Sequence, residues 1–295
     1  METVEINKYH LNKLKLLETS RFVTMTEGKI FLYPEKNQWE TEMKVIKSFF
    51  LTPSQNKIDV VSTLDENRYS LMRYKELVLP EKIITSGGEP YGITLRFIEG
   101  DNFSDYLMNK DIPYSEKIKR FREIGNFLSV MGEFRKYDRP LSNFYLGDIH
   151  SSNFLVSNGK MKIVDLDSCT IGLANPSISK YLSQNFKLER YGSKYKFLDA
   201  DKTLMVPTDN TELYSYTMMF LSYLAGLNVS KLSEEDYFSY ITYLNSIGVD
   251  DEMCRIFRRI YTNRENADFH ELLDESNDIT DKSSFNEFVR NRKLY

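Results

Sequence analysis

Short apolar stretches punctuated by turn residues dominate the first hundred positions, and longer stretches with helical spacing dominate the rest. Leu14 and Leu16, then Phe22, Val23 and Met25, then Ile30 to Tyr33 read as strands of a small sheet, with Glu27-Gly28 as a turn. Trp39, Met43, Ile46 and Phe50 fall at i, i+4, i+7 and i+11, which predicts a helix over about 39–50 with Glu40, Lys44 and Lys47 on its polar faces. Residues 51–76 show no clear period. Leu77 to Ile84 and Tyr91 to Ile98, joined through Gly87-Gly88, predict a strand pair.

Beyond Asp101 the period becomes helical. A short amphipathic piece carries Phe103, Tyr106 and Leu107, and a long helix is expected from about Ser115 to Phe134, its stripe being Ile118, Phe121, Ile124, Leu128 and Met131. Phe154 to Val156 and Met161 to Leu166 flank the turn Ser157-Asn158-Gly159, a hairpin signature. Residues 170–208 have little apolar period. Asp209-Asn-Thr-Glu212 has the spacing of a capping box opening an apolar helix, Leu213 to Leu224, whose all-round hydrophobicity predicts burial. Two amphipathic helices follow, about 233–246 and 250–262, and then a mostly polar tail from Asp274, in which Phe285, Phe288 and Val289 could dock a last turn or two.

The hairpin brings chemistry with it. Its closed ends set a loop bearing Asp148, His150 and Asn153 beside Asp165 and Asp167, an oxygen-rich group of the kind hard cations such as magnesium require. In an extended segment Asp165 and Asp167 would point to one side. The alternative is that these residues only form turns, which Asp, Asn and Ser favour, and that His150 is a packed side chain.

The loop Gly147-Asp148-Ile149-His150 with Asn153, followed by an apolar triplet, a hairpin turn and Ile163-Val164-Asp165, resembles the catalytic loop and metal-binding motif of the protein-kinase superfamily. It is most similar to the bacterial and phage branch and to the small-molecule phosphotransferases. That resemblance implies an α+β, two-lobed protein-kinase-like fold, with a small antiparallel-sheet N-lobe over residues 1–99 and a larger helical C-lobe over 100–295. It implies an ATP- and magnesium-dependent phosphotransferase acting on a hydroxyl. Asp148 would accept the proton of that hydroxyl and His150 would sit near the transferred phosphate. Asn153 and Asp165 would hold magnesium, with Asp167 as a further ligand. Backbone groups around Arg96, Phe97 and Ile98 would meet adenine, and Glu42 would be the helix glutamate that pairs with a strand lysine.

Several family features are missing at the matched positions. LLETSRFVT, residues 16–24, has no glycine where a glycine-rich loop is expected, Leu32 falls where the strand lysine is expected, and Leu146 replaces the usual His. A pseudokinase, the same fold used as a binding or regulatory module, is therefore the rival reading. An acceptor of the aminoglycoside or choline type is a second alternative to a protein acceptor, although Asp165-Leu-Asp-Ser lacks an Asp-Trp form.

Composition narrows the setting. A net charge of -4 and a pI near 5.6 give no pull towards nucleic acid or an anionic membrane. Cys169 and Cys254 are too few for a disulfide framework and have no metal-site spacing. No apolar run reaches bilayer length, and METVEINKYHLNK lacks a secretory core, so the expected location is cytoplasmic.

Overall fold

Strict alternation decides the fate of residues 41–49. Val45 and Phe49 pack into one apolar cluster and Ile46 into another, the mark of a strand with a layer on each face. The structure, a computed structural model, describes residues 1–17, 28–36, 41–138, 141–172, 195–199, 202–205, 208–262 and 271–273. It is a mixed α+β chain that divides into two units, Met1–Asp105 with Ser152–Pro176, and Tyr106–Ser151 with Ser177–Tyr295. The hairpin that follows Asn153 thus groups with the first hundred residues and not with the helical remainder.

The first unit holds β1 (Glu2–Glu5), α1 (Lys8–Leu11), β2 (Lys15–Leu17), β3 (Gly28–Lys36), β4 (Thr41–Phe49), α2 (Gln55–Glu66), α3 (Arg68–Leu71), β5 (Pro80–Ser86), β6 (Glu89–Arg96) and β7 (Asp101–Asn102). Six strands make one sheet in the order β1-β5-β6-β4-β3-β2. Every pairing is antiparallel except β1 with β5, so the sheet is mixed where an antiparallel one was expected. One face packs Phe31, Ile46, Ile84 and Tyr91 with Leu11 of α1. The other packs Ile83, Ile93 and Leu95 with Val61 of α2.

The helix expected over 39–50 is therefore corrected to a strand. The stripe through Met43 and Ile46 fits a 3.6 period, but β4 is bonded to β3 on one side and to β6 on the other. The helix lies later, at α2, where Ser54 caps the first turn by accepting from Lys57 N at 3.3 Å. Pro34 is tolerated in β3 because β2 pairs only with Ile30 to Leu32. The proposed strand at 22–25 and its turn at Glu27 lie outside the described residues.

A second sheet of this unit has the order β7-β8-β9, with β8 (Phe154–Ser157) and β9 (Lys160–Ile163) forming the expected hairpin. Asn158 and Gly159 take the left-handed conformations its tight turn needs. Gly100 lets β7 close on β8, since a Cβ there would stand 2.4 Å from Val156 O. Val78 N donates to Ile163 O at 2.9 Å and Ile163 N to Glu76 O at 2.8 Å, which ties β9 to the chain entering β5.

The chain then runs through α4 (Phe103–Met108) into the second unit, with α5 (Tyr114–Tyr137), the antiparallel pair β10 (Tyr195–Asp199) and β11 (Lys202–Met205), α6 (Asp209–Ala225), α7 (Glu234–Ser246) and α8 (Asp251–Thr262). Ile118, Phe121, Ile124, Leu128 and Met131 of α5 are buried as predicted. Tyr216 of α6 donates its hydroxyl to Phe121 O at 2.9 Å, and Phe121 meets Phe220 with ring centroids 5.0 Å apart. The capping box of α6 belongs to Thr208 and Thr211 and not to Asp209 and Glu212. The helix starts at Asp209, so Glu212 lies a turn inside and points into the core. The tail beyond 273 is outside the described residues.

Candidate functional site: two lysines on two aspartates

Four charged groups of the first unit converge where β9 ends. Asp165 takes a left-handed backbone conformation (φ 66°, ψ 34°), and residues Leu166–Ser168 then make a single 3-10 turn. That turn brings the two carboxylates to one place, where alternation along an extended segment was the expected cause. Val164 N donates to Asn153 O at 2.9 Å, which holds Asn153 beside the residue preceding Asp165.

Lys47 reaches this turn from β4. Its position on the face of Val45 and Phe49 follows from the period of two. Its ammonium pairs with Asp165 and donates to Asp167 Oδ1 at 2.9 Å and Oδ2 at 3.0 Å. From α2, Lys57 donates to Asp167 Oδ2 at 3.0 Å. Both ammonium groups lie over the ring of Phe49, 5.5 and 5.0 Å from its centroid.

Asp167 is completely buried (0% exposed). Burial alone would raise its affinity for a proton, but Lys47 and Lys57 outweigh it and hold the carboxyl well below the usual range. Asp165 is pushed the other way, by burial and by the negative Asp167 beside it, against the pull of Lys47. With 27% of its side chain exposed, Asp165 is also the carboxylate that water and ligands can reach. Burial disfavours the charge on Lys47, yet the two carboxylates keep its pKa above the ordinary lysine value.

Asp148 and His150 belong to the second unit. His150 Nε2 lies 3.2 Å from Asp148 Oδ2, and the buried Nδ1 has no partner. The loop before them is fixed from beneath. Leu146 N donates to Glu212 Oε1 at 2.7 Å, Arg135 donates to Phe144 O at 2.9 Å, and Arg135 donates to Glu212 Oε2 at 2.9 Å. Leu146 is thus buried, and its backbone is anchored as well.

Glu42 is not on a helix. It lies on β4 five residues before Lys47, on the opposite face of the strand, and pairs with Lys44 at 3.4 Å. Pairing with Lys47 is excluded by the pleat. Arg96 ends β6 and Phe97 N donates to Met43 O at 3.3 Å, while Ile98 packs with the cluster around Val61. Lys47 and Lys57 were missed from sequence. Val45-Ile46-Lys47 carried the signal for Lys47, since a lysine that continues an apolar strand into the interior needs carboxylates to meet it. Leu32 lies on β3 opposite Val45, one strand away from the lysine-bearing one.

Neither a protein-family model nor a curated protein matches this chain. The chemistry of the donors has to carry the reading. Among the described residues no three His, Cys, Asp or Glu side chains gather as a ready-made metal cage. Magnesium, however, is normally held by one or two protein oxygens together with phosphate and water. The part-exposed carboxylate of Asp165 fits that demand, and Asn153 is tied by its backbone to the residue before Asp165. Asp167 does not, because both of its oxygens face ammonium groups.

Proposed function

We propose that the chain is a phosphotransferase of protein-kinase-like architecture, using ATP with magnesium to phosphorylate a hydroxyl. The observation that carries this reading is Lys47 on a central strand, joined to Asp165 and Asp167 at the end of the hairpin after Asn153. The strand order β2-β3-β4-β6-β5, with helix α2 following the lysine strand, supports it, since this arrangement resembles the small lobe of that superfamily.

Each residue then has a task set by phosphoryl transfer, in which positioning and charge neutralisation supply most of the rate. Lys47 binds phosphate oxygens of the nucleotide. Asp165 and Asn153 would hold magnesium, whose chemistry there would be to neutralise charge on the transferred group. Asp148 accepts the proton as the acceptor oxygen bonds to the γ-phosphorus and ADP leaves, and His150 orients the Asp148 carboxylate. The acceptor that the motif form favours is a protein hydroxyl, with a small molecule as the alternative.

A binding-only module is the second reading. It is favoured by the absence of glycine over residues 16–24 and by a lysine on α2 facing the site. Thermal unfolding with ATP and magnesium tests nucleotide binding, and a hundredfold excess over Kd should stabilise the protein by about 2.7 kcal/mol. No shift at millimolar nucleotide would refute the phosphotransferase and favour the binding module, whose hold on nucleotide is weak or absent. Phosphate transfer from labelled ATP, lost in Asp148→Asn by about a hundredfold or more while nucleotide binding persists, separates the enzyme from the binding module.

A further inference from the structure

Lys57 occupies a place that local energetics disfavour. It stands in the first turn of α2, three residues after the N-cap Ser54, where the helix dipole opposes a cation. It is also buried, which strips water from its ammonium. Asp167, whose Oδ2 it meets at 3.0 Å, offsets these costs together with the ring of Phe49.

Asp167 already has a cation in Lys47, so a second one calls for a reason. An ammonium has three protons to donate, and Lys47 directs its own to Asp165 and to both oxygens of Asp167. If Lys47 turns to a phosphate, Asp167 loses that partner at a position closed to solvent. An ionised carboxylate left alone there would oppose the move strongly.

We propose that Lys57 is the cation that stays: a positioning residue that keeps Asp167 neutralised while Lys47 engages the nucleotide phosphates. This rests on the phosphotransferase reading. Lys57 also brings the group of two lysines and two aspartates to zero net charge, where Lys47 alone would leave it at minus one. An anionic ligand therefore meets no net repulsion from this group.

The test is titration calorimetry of the full chain with magnesium and ATP, run on wild type, Lys57→Met, Lys57→Arg, Asp167→Asn and the Lys57→Met/Asp167→Asn double variant. Lys57→Met should weaken nucleotide binding about tenfold or more, within the range of couplings between charges in one network. Lys57→Arg should restore most of it. With Asp167→Asn there is no charge left to hold, so adding Lys57→Met should change affinity less than about twofold.

Unfolding without nucleotide gives an independent reading of the same cycle, in which Lys57→Met should cost less stability once Asp167 is Asn. Wild-type affinity in Lys57→Met, or an equal loss in both backgrounds, would overturn the proposal and leave the phosphotransferase reading standing. A wild type that binds no nucleotide would overturn the two together. Should Lys57→Met fail to fold, the double variant set against Asp167→Asn still decides the matter, and a difference in affinity well above twofold would overturn the proposal.

Discussion

Replacing Lys47 by Met keeps most of the stem and removes the charge. Asp167 then loses a cation that sits 2.9 and 3.0 Å from its oxygens. At an effective dielectric constant of about 20, two unit charges about 3 Å apart attract by roughly 5 to 6 kcal/mol. Part of this returns because Met need not be desolvated as an ammonium must, and breaking a buried pair costs about 3–5 kcal/mol net. Lys57 remains on Asp167, which moves the expectation to the lower end. Asp165, with a quarter of its side chain in water, adds about 1 kcal/mol at most. The first unit should therefore lose roughly 3–4 kcal/mol. Hydrogen exchange at the amides of β4 and β6 reads this loss directly. Adding Asp167→Asn should recover part of the loss, because both halves of the pair are then gone. A loss under about 1 kcal/mol, or strict additivity of the two substitutions, would refute the idea that this lysine neutralises a buried carboxylate.

Three further outcomes follow from other parts of the molecule. Arg135→Met should destabilise the second unit by about 3–5 kcal/mol, because Glu212, 2% exposed, keeps only the amide of Leu146, and Glu212→Gln in that background should restore part of it in urea unfolding. Burial would raise the pKa of Glu35, but Lys44 and Lys82 outweigh it and hold the carboxyl below its ordinary value. Its contribution is thus complete above pH of about 4.3 and disappears as pH falls through the lower folded value, so Glu35→Gln should flatten the acid limb of a stability-versus-pH curve by about 1 kcal/mol or less. Gly100→Ala should cost about 1–3 kcal/mol and loosen the β7 to β8 pairing seen by hydrogen exchange, since the new methyl would meet Val156 O and Ser157 Cα.

Much of the architecture was legible because period and turn chemistry agreed. Ser157-Asn158-Gly159 between the apolar Phe154 to Val156 and a strand carrying Met161 and Ile163 specified the hairpin, and the stripe from Ile118 to Met131 specified α5, with ends within a few residues of those observed. Residues 39–50 were misread because Met43 and Ile46 satisfy a helical spacing while Val45, Lys47 and Phe49 satisfy a strand spacing. Lysine was counted as a solvent-facing residue, and Lys47 is only 7% exposed. A buried cation is invisible to hydropathy until its carboxylates are known. Those carboxylates, Asp165 and Asp167, lie well over a hundred residues away, and the loop chemistry of Asp148 and Asn153 pointed to them without revealing their partner. The α6 cap shifted for a similar reason: Glu212 has the right spacing for a box, but Arg135 and the amide of Leu146 draw it inward.

Asp165 answers to two selections that rank the amino acids differently. Its left-handed backbone suits Gly best and Asn or Asp next, and every β-branched residue poorly. A saturation library scored for folded yield should therefore place Gly and Asn near the top at 165. Under the proposed phosphotransferase function, the same library scored for nucleotide turnover should retain only Asp, and the gap between those two rankings would measure what the carboxylate contributes beyond the shape of the chain.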